Sequence, residues 1–441
     1  MAKITGVFSM RHFFVLSLAL NVSFILRTMY EREQGLICFR SETQKGQITQ
    51  RTRLYSSSSS SSSSAAATRT EAQDGVERVI NLDQGDPTMY EQYWQHAGEQ
   101  TTVVIRGWQH MSYFSDVSNI CWFLEPELAK EIVRVHRVVG NAVTEGRHII
   151  VGTGSSQLFL AALFALAPRD GPEPVSVVSQ APYYSSYPSM TDCLKSGLYK
   201  WAGAAQSYSK EGPYIELVTS PNNPDGNVRR SVVNKSEGTL VHDLAYYWPQ
   251  YTPISSPADH ELMLFTVSKS TGHAGMRIGW ALVKDQEVAK RMIKFIELNT
   301  IGVSKDSQLR AAKVLQSVSD SSEHAGGWEG VESFFEFSYR VMAERWTLLR
   351  EAVNSSGIFS LPEYPPAYCS FLNRVFEPQP AFAWLKCERD IHDCESFLRG
   401  HRILARGGKH FGVSPKYVRV SMLDRDNNFN LFVKRLCNIH L

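Results

Sequence analysis

From Ile80 onward, short β-branched and apolar runs alternate with stretches of helical periodicity. No other property of the chain restricts its fold so much. Residues 148–151 read as a strand, and Gly152-Thr153-Gly154 turns it into an apolar helix over 158–166. Runs at 175–178, 214–218, 240–242 and 262–267 continue the series. Strands at this spacing with helices between them predict an α/β fold with a mostly parallel central sheet flanked by helices. A helical stretch through 340–353 and a mixed segment containing 417–422 suit a second, smaller α+β domain. The expected division is a large domain over about 110–305 and a small one from about 73–109 plus 306–441.

The first seventy residues are of another kind. They carry nine Lys/Arg against three Glu, a charge of +6, whereas the rest holds 37 basic and 41 acidic residues, −4. The total of +2 averages a basic head and a mildly acidic body. The body lacks the charge surplus of a nucleic-acid binder. Residues 13–26 form an apolar run broken only by Ser17, Asn21 and Ser23. A spanning helix needs roughly 20 apolar residues, so this run is short. With Lys3 and Arg11 ahead of it, it resembles the hydrophobic region of a signal peptide or signal anchor. No small-x-small cleavage pattern follows. Six basic residues between Arg27 and Arg53, against two before the run, would leave the body cytosolic if the run is inserted. Membrane association through 13–26, at the endoplasmic reticulum with a cytosolic body, is the expectation. An organellar transit peptide and a cleaved secretory signal stay open, the former because the head is rich in Arg and Ser and poor in acids. Nine serines at 56–64 and three alanines after them cannot bury apolar surface. Residues 1–72 thus read as a targeting or anchor segment with its tether.

The seven cysteines are scattered without a CxxC, and are expected to be reduced. The thirteen histidines show no paired-ligand spacing, so no metal is expected. The sequons at Asn234 and Asn354 are of a kind that arises often by chance.

In open parallel sheets, ligands bind at the carboxyl ends of the strands, and several chemically distinctive residues fall there. Gly152-Thr153-Gly154-Ser155-Ser156 joins a strand to a helix, so its N–H groups and hydroxyls would suit a phosphate. Ser220-Pro221-Asn222-Asn223-Pro224 is a rigid turn after a strand. Asp243 ends an apolar strand, where a carboxylate is costly without a cationic partner. Lys269, in Phe265-Thr266-Val267-Ser268-Lys269, ends another, and a desolvated amine suits Schiff-base chemistry. Arg277, eight residues on, could supply a guanidinium fork to the phosphate. The ordered set is what pyridoxal phosphate (PLP) requires.

With these residues in place the body resembles the fold-type-I PLP aminotransferases. The resemblance implies that Lys269 bonds the cofactor covalently, Arg277 takes its phosphate, and Asp243 partners the pyridine nitrogen. It implies that Asn223 and Tyr246 meet the ring hydroxyl and that Tyr184 stacks on the ring. Ser155 and Ser156 belong to the phosphate loop, and Thr266 is a further phosphate contact. Arg419, in Tyr417-Val418-Arg419-Val420-Ser421, clamps the substrate carboxylate. The resemblance further implies that Gly85 is a substrate-side residue and that Tyr113 is a phosphate tyrosine lent across a homodimer. Lys269, Asp243 and Tyr246 are the expected catalytic residues.

Narrower strings are similar to the plant alliinase/tryptophan-aminotransferase-related family. They are 81–88 (NLDQGDPT), 151–155 (VGTGS), 182–187 (PYYSSY) and 268–280 (SKSTGHAGMRIGW). That family holds tryptophan aminotransferases making indole-3-pyruvate for auxin synthesis, and alliin C–S lyases with a cysteine-rich, EGF-like segment. Only Cys38 and Cys121 precede the phosphate loop here, so that segment is missing. The head is similar to that of membrane-associated tryptophan-aminotransferase-related members. The resemblance thus implies transamination of L-tryptophan to a 2-oxo acid, pyruvate or 2-oxoglutarate. A cysteine-sulfoxide lyase, a broader aromatic aminotransferase and a non-enzymatic scaffold remain alternatives.

Overall fold

The computed structural model describes residues 78–439 apart from 169, 170, 172 and 324–331. The chain divides into two units, Met1–Ala72 and Gln73–Leu441. The apolar run 13–26, the serine tract and Cys38 lie outside the described residues. Among those described, no helix is long and apolar enough to cross a membrane.

After a two-residue strand, β1 (Ile80–Asn81), come the short helix α1 (Glu91–His96) and α2 (Pro126–Val139). The central sheet follows, built from β2 (His148–Thr153), β3 (Val175–Ser179), β4 (Tyr199–Ala204), β5 (Tyr214–Thr219), β6 (Gly238–Asp243), β7 (Leu262–Thr266) and β8 (Ile278–Val283). Its order is β2-β8-β7-β6-β5-β3-β4. Every pair from β7 to β4 is parallel, and β8 runs antiparallel to both of its neighbours. All residues of β3, β5, β7 and β8 are buried, the continuous pattern of strands covered on both faces. Helices α3 (Gly154–Leu166), α4 (Tyr187–Asp192), α5 (Val267–Ser270), α6 (Gln286–Thr300) and α7 (Lys305–Glu323) belong to this half. The fold is the expected α/β, fold-type-I architecture.

Two strands of this sheet escape a reading of the sequence. Strand β4 (YKWAGA) is an edge strand that is mostly half-exposed, so it lacks a continuous apolar run. Strand β8 begins immediately after Arg277 and hides inside a glycine-rich motif.

A second, antiparallel sheet has the order β14-β15-β12-β9, with β9 (Phe359–Ser360), β12 (Phe382–Cys387), β14 (Arg406–Gly407) and β15 (Tyr417–Ser421). Between them lie the hairpin β10 (Ala367–Cys369) and β11 (Arg374–Phe376), α9 (Cys394–Gly400) and β13 (Ile403–Leu404). Helix α8 (Phe334–Ser356) is the predicted long helix; Ser333 and Glu336 form a capping box at its start, and Gly357 at φ 59° ends it. Helix α10 (Asp426–Cys437) closes the chain.

The cysteine expectation needs correction. Cys387, ending β12, and Cys394, starting α9, are disulfide-bonded across a Cα–Cα distance of 5.7 Å. The turn between strand and helix brings them within bonding range, which a spacing of seven does not announce. Cys121, Cys193, Cys369 and Cys437 are free.

Candidate active site

The carboxyl ends of β2, β5, β6 and β7 open into one cleft beside β14 and β15. Because β8 is antiparallel, its beginning lies at that same edge, and so Arg277 arrives there too. Of the twelve residues expected at the site, eleven line the cleft: Gly85, Ser155, Ser156, Tyr184, Asn223, Asp243, Tyr246, Thr266, Lys269, Arg277 and Arg419. Tyr113 does not. It is 68% exposed, in a stretch whose Val104, Trp108, Met111, Phe114 and Val117 are also exposed.

Lys269 was expected to end a strand, but β7 stops at Thr266. The Thr266 hydroxyl accepts the Ser268 N–H at 3.1 Å and turns the chain into the single helical turn α5, which carries Lys269. That hydroxyl also donates to the Ile278 carbonyl at 3.1 Å, so its hydrogen bonds are made within the protein. The Lys269 Nζ donates to the Gly85 carbonyl and sits 6.0 Å from the centre of the Tyr246 ring. Burial, then repulsion from Arg419, pushes its pKa down to about 8, with Asp86 opposing and Arg277 adding to the fall. A Cβ on Gly85 would lie 2.7 Å from Phe382 Cζ and 3.3 Å from Lys269 Nζ, so this position has room for glycine alone.

Asp243 is half-buried at the end of β6. Its carboxylate accepts the Tyr187 hydroxyl at 2.9 Å and the Ala245 N–H at 3.2 Å. Burial raises its pKa, and these two bonds work against that rise. Among the described residues no cation pairs with it. Tyr187 lies in a recognised string but carried no expected role. Its ring stacks on Phe159 (centroids 5.3 Å, 17°) and meets Tyr184 edge-on, and its hydroxyl is also 2.7 Å from Thr219 Oγ1. Tyr246 is buried, which pushes its hydroxyl far above the usual tyrosine range.

Arg419 is buried against the rings of Phe382 (4.1 Å) and Phe411 (5.2 Å). Its Nη1 donates to Asn223 Oδ1 at 2.9 Å and its Nη2 to the Asp83 carbonyl at 2.5 Å. Its Nε is buried without a partner among the described residues. Burial brings its pKa down to about 10. Arg406 also lines the cleft and was not anticipated, since a lone arginine in a two-residue strand leaves no mark in the sequence.

The donor set fits pyridoxal phosphate. Helix α3 begins at Gly154 with no residue between it and β2, so the first N–H groups of its opening turn have no partner within the helix. A Cβ on Gly154 would lie 2.4 Å from Arg277 Nη2, and one on Gly279 2.6 Å from the Ser155 nitrogen. Glycine therefore lets backbone donors and a guanidinium converge, as a phosphate requires. Gly154 also has φ +73°. Gly154→Ala combines strain in that conformation with a clash, and is expected to weaken cofactor binding about tenfold or more. Titration of the visible absorption of the loaded protein measures this, and an unchanged dissociation constant would contradict the assignment. A half-buried carboxylate without a cation, lining the same cleft as an amine of depressed pKa, suits the ring end of the same molecule.

The family model described as "Allinase" matches residues 80–440. The chain belongs to the allinase family. Members of this family are PLP-dependent, and that is the cofactor here. The chain is 60% identical over 438 residues to "Tryptophan aminotransferase-related protein 2" of Arabidopsis thaliana, covering 99% of this chain and 98% of that protein. It is 37% identical over 357 residues to "Alliin lyase 1" of Allium sativum, covering 78% of this chain and 72% of the lyase. Among solved structures, aspartate aminotransferase from Thermus thermophilus with maleate aligns with a TM-score of 0.59 at 18% identity, over 86% of this chain and 97% of that one. That likeness is one of fold. Among the described residues, no group of three or more His, Cys, Asp or Glu is placed to hold a metal ion.

Proposed function

We propose that this allinase-family protein is an aminotransferase that converts L-tryptophan to indole-3-pyruvate with a 2-oxo acid acceptor, in auxin biosynthesis. The observation that carries the reading is the pairing of Lys269, a half-buried amine whose pKa is brought down to about 8, with Arg419, a buried guanidinium lining the same cleft. An α-amino acid needs both, a base at Cα and a fork for its carboxylate. The choice of transamination over lysis is supported by identities of 60% to the aminotransferase-related protein and 37% to the lyase.

Ser155, Ser156 and Arg277 would hold the cofactor phosphate, Asn223 and Tyr246 its ring hydroxyl, Asp243 its ring nitrogen and Tyr184 its ring face. When bound, pyridoxal phosphate supplies an electron sink for charge developing at Cα and a carrier for the amino group. Arg419 orients the substrate through its carboxylate. Lys269 Nζ, its pKa lowered towards neutrality, removes the Cα proton and later returns it when the acceptor is aminated. Phe382 and Phe411 shield the Arg419 charge from water and so strengthen its hold on the carboxylate.

The catalytic body is proposed to work as a homodimer in which each subunit lends Tyr113 to the other's cleft, and to divide into the large and small domains given above. Residues 13–26 are proposed to attach it to the endoplasmic reticulum, with the body in the cytosol.

The lyase reading is tested against this one by assaying the purified protein with tryptophan, phenylalanine and an alkyl-cysteine sulfoxide, each with and without pyruvate. Indole-3-pyruvate formed from tryptophan only when acceptor is present is the expected outcome. An inert tryptophan together with cleavage of the sulfoxide would overturn the proposal.

A further inference from the structure

Arg406 has no part in the mechanism above, although it lines the same cleft as Arg419. The register of β14 with β15 sets the two arginines opposite each other. Their situations differ. Arg419 gives its terminal nitrogens to two neutral acceptors and keeps a buried Nε without a partner among the described residues. Arg406 instead faces an ionic partner. Its Nε and Nη2 bind the two carboxylate oxygens of Asp83 at 2.6 and 2.8 Å, and its Nη1 donates to Ser185 Oγ at 2.9 Å.

The backbone places Asp83 there. Leu82 N–H donates to the Leu404 carbonyl at 2.8 Å and the Leu82 carbonyl accepts the Ser421 N–H at 2.9 Å. The segment is thus stitched between the ends of β13 and β15, just before Gln84 and Gly85 of the cleft wall. A two-point guanidinium–carboxylate pair is the strongest ion-pair geometry. This one has side chains only 22% and 25% exposed, so water screens it poorly. Burial alone would raise the Asp83 pKa. The hydrogen bond and charge of Arg406, with Arg419 and His410, instead bring it below the usual carboxylate value, so the pair is ionised at neutral pH.

Resting on the amino-acid and oxo-acid reading above, we propose that Asp83 is a specificity-determining residue. By occupying Arg406 with an internal carboxylate, it restricts the cleft to substrates whose only carboxylate is the one Arg419 holds. A substrate with a second, side-chain carboxylate would have to displace Asp83, leaving two carboxylates competing for one guanidinium. A neutral or aromatic side chain asks for no displacement. A purely structural tie between the segment after β1 and β14 would instead alter stability without altering selectivity.

Asp83→Asn keeps the size and one acceptor oxygen of the side chain while removing its charge. Calorimetry on the cofactor-loaded protein compares binding of glutarate with binding of butyrate, a monocarboxylate of similar length. In Asp83→Asn the preference for glutarate is expected to rise about tenfold or more, and to vanish in Asp83→Asn/Arg406→Gln. The kcat/KM ratio for 2-oxoglutarate over pyruvate should rise in parallel. A folded Asp83→Asn protein with an unchanged ratio, or a gain that persists in the double variant, overturns the proposal. If Asp83→Asn does not fold, Arg406→Gln alone decides. It leaves a bare carboxylate at the cleft, so relative glutarate binding should fall below wild type, and an unchanged ratio overturns the proposal. The binding comparison needs no turnover. A glutarate gain in a protein that aminates no oxo acid would sink the transamination reading and leave this one standing, and active transamination without the gain would do the reverse.

Discussion

Replacing Lys269 with alanine is expected to slow turnover by about 10⁴-fold, the upper range for a positioned acid–base group. Its place on α5 is set by Thr266 capping the turn and by the Lys269 Nζ bond to the Gly85 carbonyl. Among the described residues no other lysine lines the cleft. Arginine at this position should not restore activity, because its guanidinium stays protonated where an amine of pKa about 8 can shed its proton. Small primary amines added to Lys269→Ala should recover part of the rate, more so as their basicity rises. Steady-state kinetics with and without added methylamine checks this. A variant within tenfold of wild type would remove Lys269 from the chemistry.

The second large effect concerns Arg419. Arg419→Gln should lower kcat/KM for tryptophan by roughly 10²- to 10³-fold, the loss that follows when one partner of a buried charged pair is truncated. Buried against two phenylalanine rings, the guanidinium has few competing water contacts, and its terminal nitrogens are held by Asn223 and the Asp83 carbonyl. Lysine there would lack both the fork and the flat guanidinium face that packs on the rings. The discriminating measurement compares tryptophan with tryptamine, which has no carboxylate. Wild type should strongly prefer tryptophan in amine binding, and Arg419→Gln should erase that preference. A preserved preference would show that the carboxylate is held elsewhere.

The cofactor side of the site was legible because a charged residue at the end of an apolar strand is a local anomaly. Asp243 at the end of β6 and Lys269 just past β7 announce themselves in this way, and Arg277 follows at fixed spacing. The substrate side was less legible because its meaning depends on pairings across the chain. Arg406 acquires a role only through Asp83, 323 residues away; on the cofactor side Tyr187 escaped for the same reason, since its role comes from meeting Asp243, 56 residues away. The sheet reads similarly. Uninterrupted apolar runs disclosed β3, β5 and β7, whereas β4 lies at a half-exposed edge and β8 is masked by the glycines that bring Arg277 to Gly154. The Cys387–Cys394 bond was missed because its spacing matches no motif, and only the turn from β12 into α9 brings the two together.

The most direct test of the central claim is a single-turnover experiment on the loaded protein, mixed with tryptophan in the absence of any oxo acid. Transamination requires about one indole-3-pyruvate per active site and no free ammonia, with the amino group retained by the enzyme until pyruvate is added and alanine appears. Continued release of ammonia without an acceptor, or no oxo acid at all, would contradict the account.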